Sequence, residues 1–398
     1  MKIKLIQPWL ARFESIIFIL LFLFVALWTG AAKAQTDERK LIWEVFTGEN
    51  LLSPVQRAAI DPEDGTVLLA TFGNLYAAKD GLFRPVLQPP TSDARFGLAP
   101  GGKLSAWLIP VEGEEPYWDV YIRDLSSSLQ IQLKPQEVPK GFGGLYLGYQ
   151  GNIIVTFTPL DDWRGIKGRY RFTFWSRDGQ PLAKVIRPTR ELCILASDGS
   201  SLMLLGEKEA SAYSSKGEKL WCVEGNFRKG ALARDGKIAL LNPSTVKELN
   251  QVLIVHGPDK VQKQEIPTPV HHLQLTHDGF AAVVGGDRGR YFYLDPKGGR
   301  FKEGNRLPFD REIFITDIEF IDNETLAIGV LQREGDPPKH TWQMGGVAVI
   351  NREGKILFRK EFNIEEPYAS RPALDVAFGK AAFIGFTMDR TFLVELGH

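Results

Sequence analysis

Residues 273–299, LQLTHDGFAAVVGGDRGRYFYLDPKGG, form a pattern that the rest of the chain repeats, and the repeat limits what the chain can fold into. The spacing predicts three short strands, over 273–276, 280–285 and 290–295. Turns at His277-Asp278-Gly279 and Asp295-Pro296-Lys297-Gly298 separate the first two and close the third. Glycine supplies positive φ in such turns, and aspartate bonds back to its own backbone.

Similar units span 54–90, 94–133, 143–186, 190–221, 229–266, 316–362 and 374–396. No segment sustains a 3.6-residue apolar period, so helix should be nearly absent. Short strands at regular spacing with turns between them mean a sandwich, a barrel or a propeller. A repeat of roughly 40–50 residues with four strands favours the propeller. The last unit holds only three strands, while 41–46, LIWEVF, reads as a strand with no hairpin partner nearby. A ring of blades must not leave open edges. The expectation is therefore an all-β single propeller over 41–398, with 41–46 completing the last blade. Eight blades are expected, or seven if the short fourth unit is not a true blade.

The recurring fragment is an aromatic strand followed by Asp-Gly or Lys-Gly, as in 174–179 and 213–217. On this pattern the chain resembles β-propeller repeat proteins of the quinoprotein-dehydrogenase-like and YVTN-type superfamilies. The Gly-His and Trp-Asp dipeptides of WD40 repeats do not recur. Quinoprotein dehydrogenases are typified by adjacent cysteines beside the cofactor, and no two cysteines adjoin here. The resemblance thus implies a cofactor-free propeller.

The N-terminus is tripartite. Lys2, Lys4 and Arg12 precede an unbroken apolar run over 16–28, and small residues follow, ending Ala32-Lys33-Ala34. Signal peptidase has small pockets for an A-x-A end. The run is shorter than the roughly 20 residues that span a bilayer. Residues 1–34 read as a cleaved signal peptide, with an uncleaved anchor as the competing reading, and 35–40 as a flexible leader. Localisation is expected to be periplasmic or secreted, with no transmembrane domain after cleavage. Formal net charge is 0; without residues 1–34 the chain keeps 44 basic and 47 acidic residues, which draws it to neither nucleic acid nor anionic lipid.

Motifs of common chemistries are missing: no G-x-S-x-G, H-E-x-x-H, C-x-x-C or Walker loop occurs. His271, His272 and His277 form a histidine cluster, but alternation sends the first two to opposite faces of a strand. No catalytic residue, metal centre or cofactor is expected. The two cysteines, Cys193 and Cys222, fall on the first and last strands of their unit. Three strand spacings of about 4.8 Å exceed the reach of a disulfide, so the two should not be joined.

Two groups remain as candidate sites. Aligned on the first turn, one position holds Arg95, Lys229, His272, Asp317 and Asp375, and Ala58, Gly144 and Leu192 in other units. First strands line the channel of a propeller, so these residues should form a ring at one channel mouth. They either bind a small polar ligand or pair with each other. Aromatic residues in inserts, Tyr117, Trp118, Trp163 and Trp342, are candidates for an interface, since Trp and Tyr are enriched at hot spots, or for plain packing on blade edges. The sequence thus reads as an exported binding or scaffold propeller, with a protein partner or small polar ligand. The alternative class is a hydrolase, lyase or oxidoreductase with a polar site at the channel mouth.

Overall fold

The structure, a computed structural model, describes residues 41–46, 55–61, 63–71, 74–79, 82–87, 95–111, 117–125, 130–133, 144–161, 168–188, 191–196, 198–276, 278–279, 281–294, 299–309, 312–334, 341–363, 373–377, 380–384 and 390–395. The expected signal peptide and leader lie outside them. These residues belong to one compact unit, 40–396. Among them are eight four-stranded sheets and no α-helix; helical geometry is limited to 3-10 turns such as Tyr149–Gly151 and Val246–Glu248. In seven sheets the strands pair in chain order: 55–87, 95–133, 144–187, 192–224, 227–265, 272–303 and 312–363, here the first to seventh sheets. The eighth holds Ala373–Ala377, Lys380–Ile384 and Arg390–Glu395, with Leu41–Phe46 paired antiparallel to the last, Phe46 opposite Arg390.

The first strands of most neighbouring sheets lie side by side, and that of the eighth touches those of the seventh and the first. The fold is an all-β single propeller. Its core is a series of apolar layers, each shared by two consecutive sheets. The fifth and sixth, for example, bury Leu240, Val252, Ile254, Leu273, Val284 and Phe292 together. A fully buried side chain of this kind contributes about 1.5–3 kcal/mol. A lone four-stranded sheet has two apolar faces and could bury neither, which is why the repeats must stack.

The repeat is visible in the turns. Gly102, Gly151, Gly199, Gly236 and Gly279 close the first hairpins with φ of 69°, 73°, 67°, 66° and 68°. Each donates its N–H to the carbonyl three residues back. A Cβ on Gly199 would stand 2.8 Å from the Tyr149 nitrogen, so the turn also needs a bare backbone against the neighbouring sheet. In the sixth sheet the strands fall at His272–Leu275, one residue before its expected place, and at Ala282–Gly285 and Tyr291–Leu294, one or two residues inside the expected bounds, with a two-residue outer strand, Lys302–Glu303.

Candidate functional site

The aligned ring residues all lie on first strands. Arg95, Lys229 and His272 pair with Leu108, Asn242 and Gly285, which are equivalent rungs. A bulge precedes Asp317, which pairs with Gly329. Asp375 pairs with Ala382 in a tight hairpin, so it stands nearer its turn than the others. The side chains of Arg95 and Asp375 lie outside the described residues. Lys229 donates Nζ to the Val270 carbonyl at 2.9 Å, just before the next first strand. His272 places Nε2 2.9 Å from the Ile315 carbonyl, again on the next first strand. Asp317 accepts from the Ile318 N–H at 2.9 Å. Two of the ring positions thus pin one inner strand to its neighbour through backbone carbonyls, a link that alignment of sequence units could not show.

Three aromatic candidates lie elsewhere than the sequence suggests. Tyr117 and Trp118 open the strand Tyr117–Asp124, and Trp342 sits in Thr341–Asn351, opposite Arg333. The alternation of each hairpin runs farther than its turn signals imply, so these residues are on strands rather than in inserts. Their side chains, and the whole of Trp163 and His277, lie outside the described residues. Among the described residues no three His, Cys, Asp or Glu side chains converge on a metal-sized point. No helix among them is long and apolar enough to cross a membrane.

Cys193 and Cys222 are free thiols on the first and fourth strands of the fourth sheet. Burial pushes the Cys193 thiol pKa up, so it stays protonated. Cys222 instead donates to Glu209 Oε2 at 3.3 Å, in a network that ties the third sheet to the fourth. Arg187, buried at the end of the third sheet, gives its Nε to Glu191 at 2.8 Å and an Nη to Glu209. Ser211 donates to Glu209 at 2.6 Å. Burial works against the charged carboxylate of Glu209, but the bonds from Ser211, Arg187 and Cys222 outweigh it and hold its pKa at about 2.

The groove between the sixth and seventh sheets is the broadest candidate. The sixth sheet's outer strand is only Lys302–Glu303, against Phe292 and Tyr293. Beyond it the chain leaves the ladder and drops Leu307 and Phe309 into the core between the two sheets. This leaves two adjoining hollows of about 600 and 560 Å³, which share Glu303, Gly304 and Asn305. The segment between them is anchored on both sides. Gln264 of the fifth sheet donates to the Gly299 carbonyl at 2.7 Å, and Asn305 donates to the Glu353 carbonyl at 3.1 Å.

The groove is cationic. Its described lining holds six Arg or Lys side chains and three carboxylates. Arg290 makes a two-bond pair with Glu303, at 2.6 and 2.8 Å, and lies 5.2 Å over the Phe292 ring. Its hydrogen bonds raise the arginine pKa and lower that of Glu303. Arg288 reaches Glu312 at 3.5 Å and Arg352 reaches Glu324 at 3.8 Å. Arg300, Lys302 and Arg306 are exposed and make no ion pair among the described residues. Sequence reasoning missed them because total charge is near balance. The signal was local: Lys297, Arg300, Lys302 and Arg306 face only Glu303 in that run.

No protein-family model matches the chain, and no curated protein matches it in sequence. Solved structures do resemble it. The C-terminal WD40 domain of Sif2 superimposes with a TM-score of 0.56 at 10% identity, covering 90% of this chain and 99% of that one. Sqt1 of Saccharomyces cerevisiae does so with a TM-score of 0.57 at 10% identity, covering 91% and 100%. At such identity the likeness shows the fold alone: the chain is a β-propeller, similar in architecture to a WD40 domain although the Gly-His and Trp-Asp dipeptides do not recur in its sequence.

Proposed function

We propose that the protein is an exported propeller scaffold that binds an acidic, extended segment of a protein partner in the groove between the sixth and seventh sheets. The observation that carries this reading is the row of exposed, unpaired cations, Arg300, Lys302 and Arg306, beside a truncated outer strand. A groove lined by one sign of charge concentrates and steers ligands of the other sign. A short edge beside it leaves room for a peptide backbone. Export rests on the tripartite N-terminus. The ring reading, with eight sheets as eight blades and Leu41–Phe46 as the last blade's outer strand, rests on the register of that strand. The likeness to quinoprotein-like and YVTN-type repeats rests on the turn pattern alone.

The test is fluorescence anisotropy of the purified protein with labelled oligoglutamate and oligolysine peptides. Saturable binding of oligoglutamate is expected, weakening steeply with salt as screening shortens to about 8 Å at physiological ionic strength. The triple variant Arg300→Glu, Lys302→Glu, Arg306→Glu should abolish it. Equal affinity for both peptides, or a triple variant that binds like the parent, would overturn the reading. N-terminal sequencing of the envelope form should begin at Gln35; a start at Met1 would mean an anchor. Deleting 35–47 should lower the melting temperature, whereas deleting 35–40 should not; equal effects would refute closure through Leu41–Phe46.

A further inference from the structure

The third sheet has one face that does not fit its surroundings. Its middle strands, Ile154–Pro159 and Tyr170–Trp175, alternate over 155–159 and 170–174, as VTFTP and YRFTF. Such alternation marks a sheet with one face in water. Yet Thr156, Thr158 and Thr173 are only 1%, 2% and 6% exposed. The register sets them in rows: Thr156 opposite Thr173 opposite Lys184, and Thr158 opposite Arg171. The second sheet packs on part of this face, where Leu104, Ala106 and Leu133 share an apolar cluster with Leu147, Ile154 and Trp175. Beyond that contact lies a cavity of about 400 Å³.

Its chemistry is one-sided. Three threonine hydroxyls, Arg171, Lys184 and two glutamines line it, and no carboxylate does among the described residues. The Trp175 indole donates to the Thr156 hydroxyl at 2.8 Å. That fixes Thr156 as an acceptor on one side, so its own hydrogen is left to donate into the cavity. The turn carrying Gly179 and Gln180 walls the outer end; a Cβ on Gly179 would stand 2.6 Å from Ile131 of the second sheet. The volume lies within the roughly 300–1,000 Å³ range of small-molecule sites.

We propose that this cavity binds a small organic anion, a molecule whose carboxylate or phosphate group sits against Arg171, Lys184 and the threonine hydroxyls. Charge-assisted bonds to an oxyanion are about twice as strong as neutral ones. A positive, donor-rich cleft with no carboxylate among its described lining would hold such a group and reject cations.

Isothermal titration calorimetry of the purified protein with citrate and with inorganic phosphate tests this. Saturable binding of at least one probe is expected; citrate alone points to a carboxylate ligand, phosphate to a phosphate ester. Lys184→Gln, on an exposed side chain, should weaken binding about tenfold. The double variant Thr158→Val, Thr173→Val keeps the volume and should also bind more weakly while melting like the parent. The groove variant at Arg300, Lys302 and Arg306 should titrate unchanged. Failure of both probes on the parent overturns the proposal. So does parent-like binding by Lys184→Gln, which decides the matter even if the valine variant does not fold.

Discussion

The two faces of the third sheet are made from the same two strands, yet they do opposite things. Toward the fourth sheet, Val155, Phe157, Phe172 and Phe174 pack with Leu202, Leu204 and Tyr213. Phe157 and Phe172 sit on one rung with ring centroids 6.0 Å apart. Toward the second sheet, the alternate rungs carry Thr156, Thr158, Arg171 and Thr173 around a cavity. One face is filled by shape and the other is lined with donors. The difference teaches that burial in a propeller is imposed by the neighbouring sheet, not chosen by the strand's own alternation. A polar face caught between two sheets has either a hydrogen-bonding role or a ligand, because leaving such groups unpaired costs free energy.

The contrast breaks most visibly at its apolar side. Phe172→Ala removes a fully buried ring from the layer between the third and fourth sheets. Losing a buried phenylalanine costs about 3–5 kcal/mol. Denaturant unfolding should show a loss of that order, and a loss below about 1 kcal/mol would mean the aromatic layer is not the sheet's anchor.

On the polar side the larger effect belongs to Thr156. Thr156→Val leaves the Trp175 indole N–H buried without its acceptor. An orphaned buried donor costs roughly 1–3 kcal/mol. A neutral outcome would mean the indole finds another partner in the cavity.

The repeat made much of the fold legible. Turn glycines and strand alternation made the sheets legible, because both are properties of neighbouring residues. What depends on contact between units was hidden. Lys229 and His272 read as channel charges, but their partners are the carbonyls of Val270 and Ile315, more than a strand away in sequence. The burial of Thr156, Thr158 and Thr173 was not legible either, since alternation cannot say whether a second sheet covers a polar face. Arg300, Lys302 and Arg306 were masked by a balanced total, although the local run was uneven.

Acid separates the two faces in a third way. The cavity side has no carboxylate among its described lining, whereas the outer edge of the apolar side ends in Arg187 and Glu209. The Glu209 pKa is lowered from 4.5 to about 2 in the folded protein. Its ionised form is therefore favoured by folding, and the stabilisation is present in full above pH 4.5 and lost as pH falls toward 2. Stability measured down that range should decline in the parent and decline less in Glu209→Gln. Identical slopes would place the acid sensitivity elsewhere.

The smallest expected effect sharpens the comparison most. Thr158→Val swaps a hydroxyl for a methyl at constant shape, one position along the strand face from Thr156. Thr156 accepts a hydrogen bond from a buried indole, so its loss strands a partner. Thr158 lines the same cavity, but no indole depends on it. Removing a hydroxyl that leaves no buried partner behind should change stability by about 0.5 kcal/mol or less. Both residues are equally buried and both are threonine to valine, so burial and volume cancel between them. Only the hydrogen-bond partner differs. If Thr158→Val costs as much as Thr156→Val in the same unfolding experiment, the polar face is a closed hydrogen-bonded layer rather than an open one. The third sheet would then bury both faces in the same sense, one by packing and one by pairing.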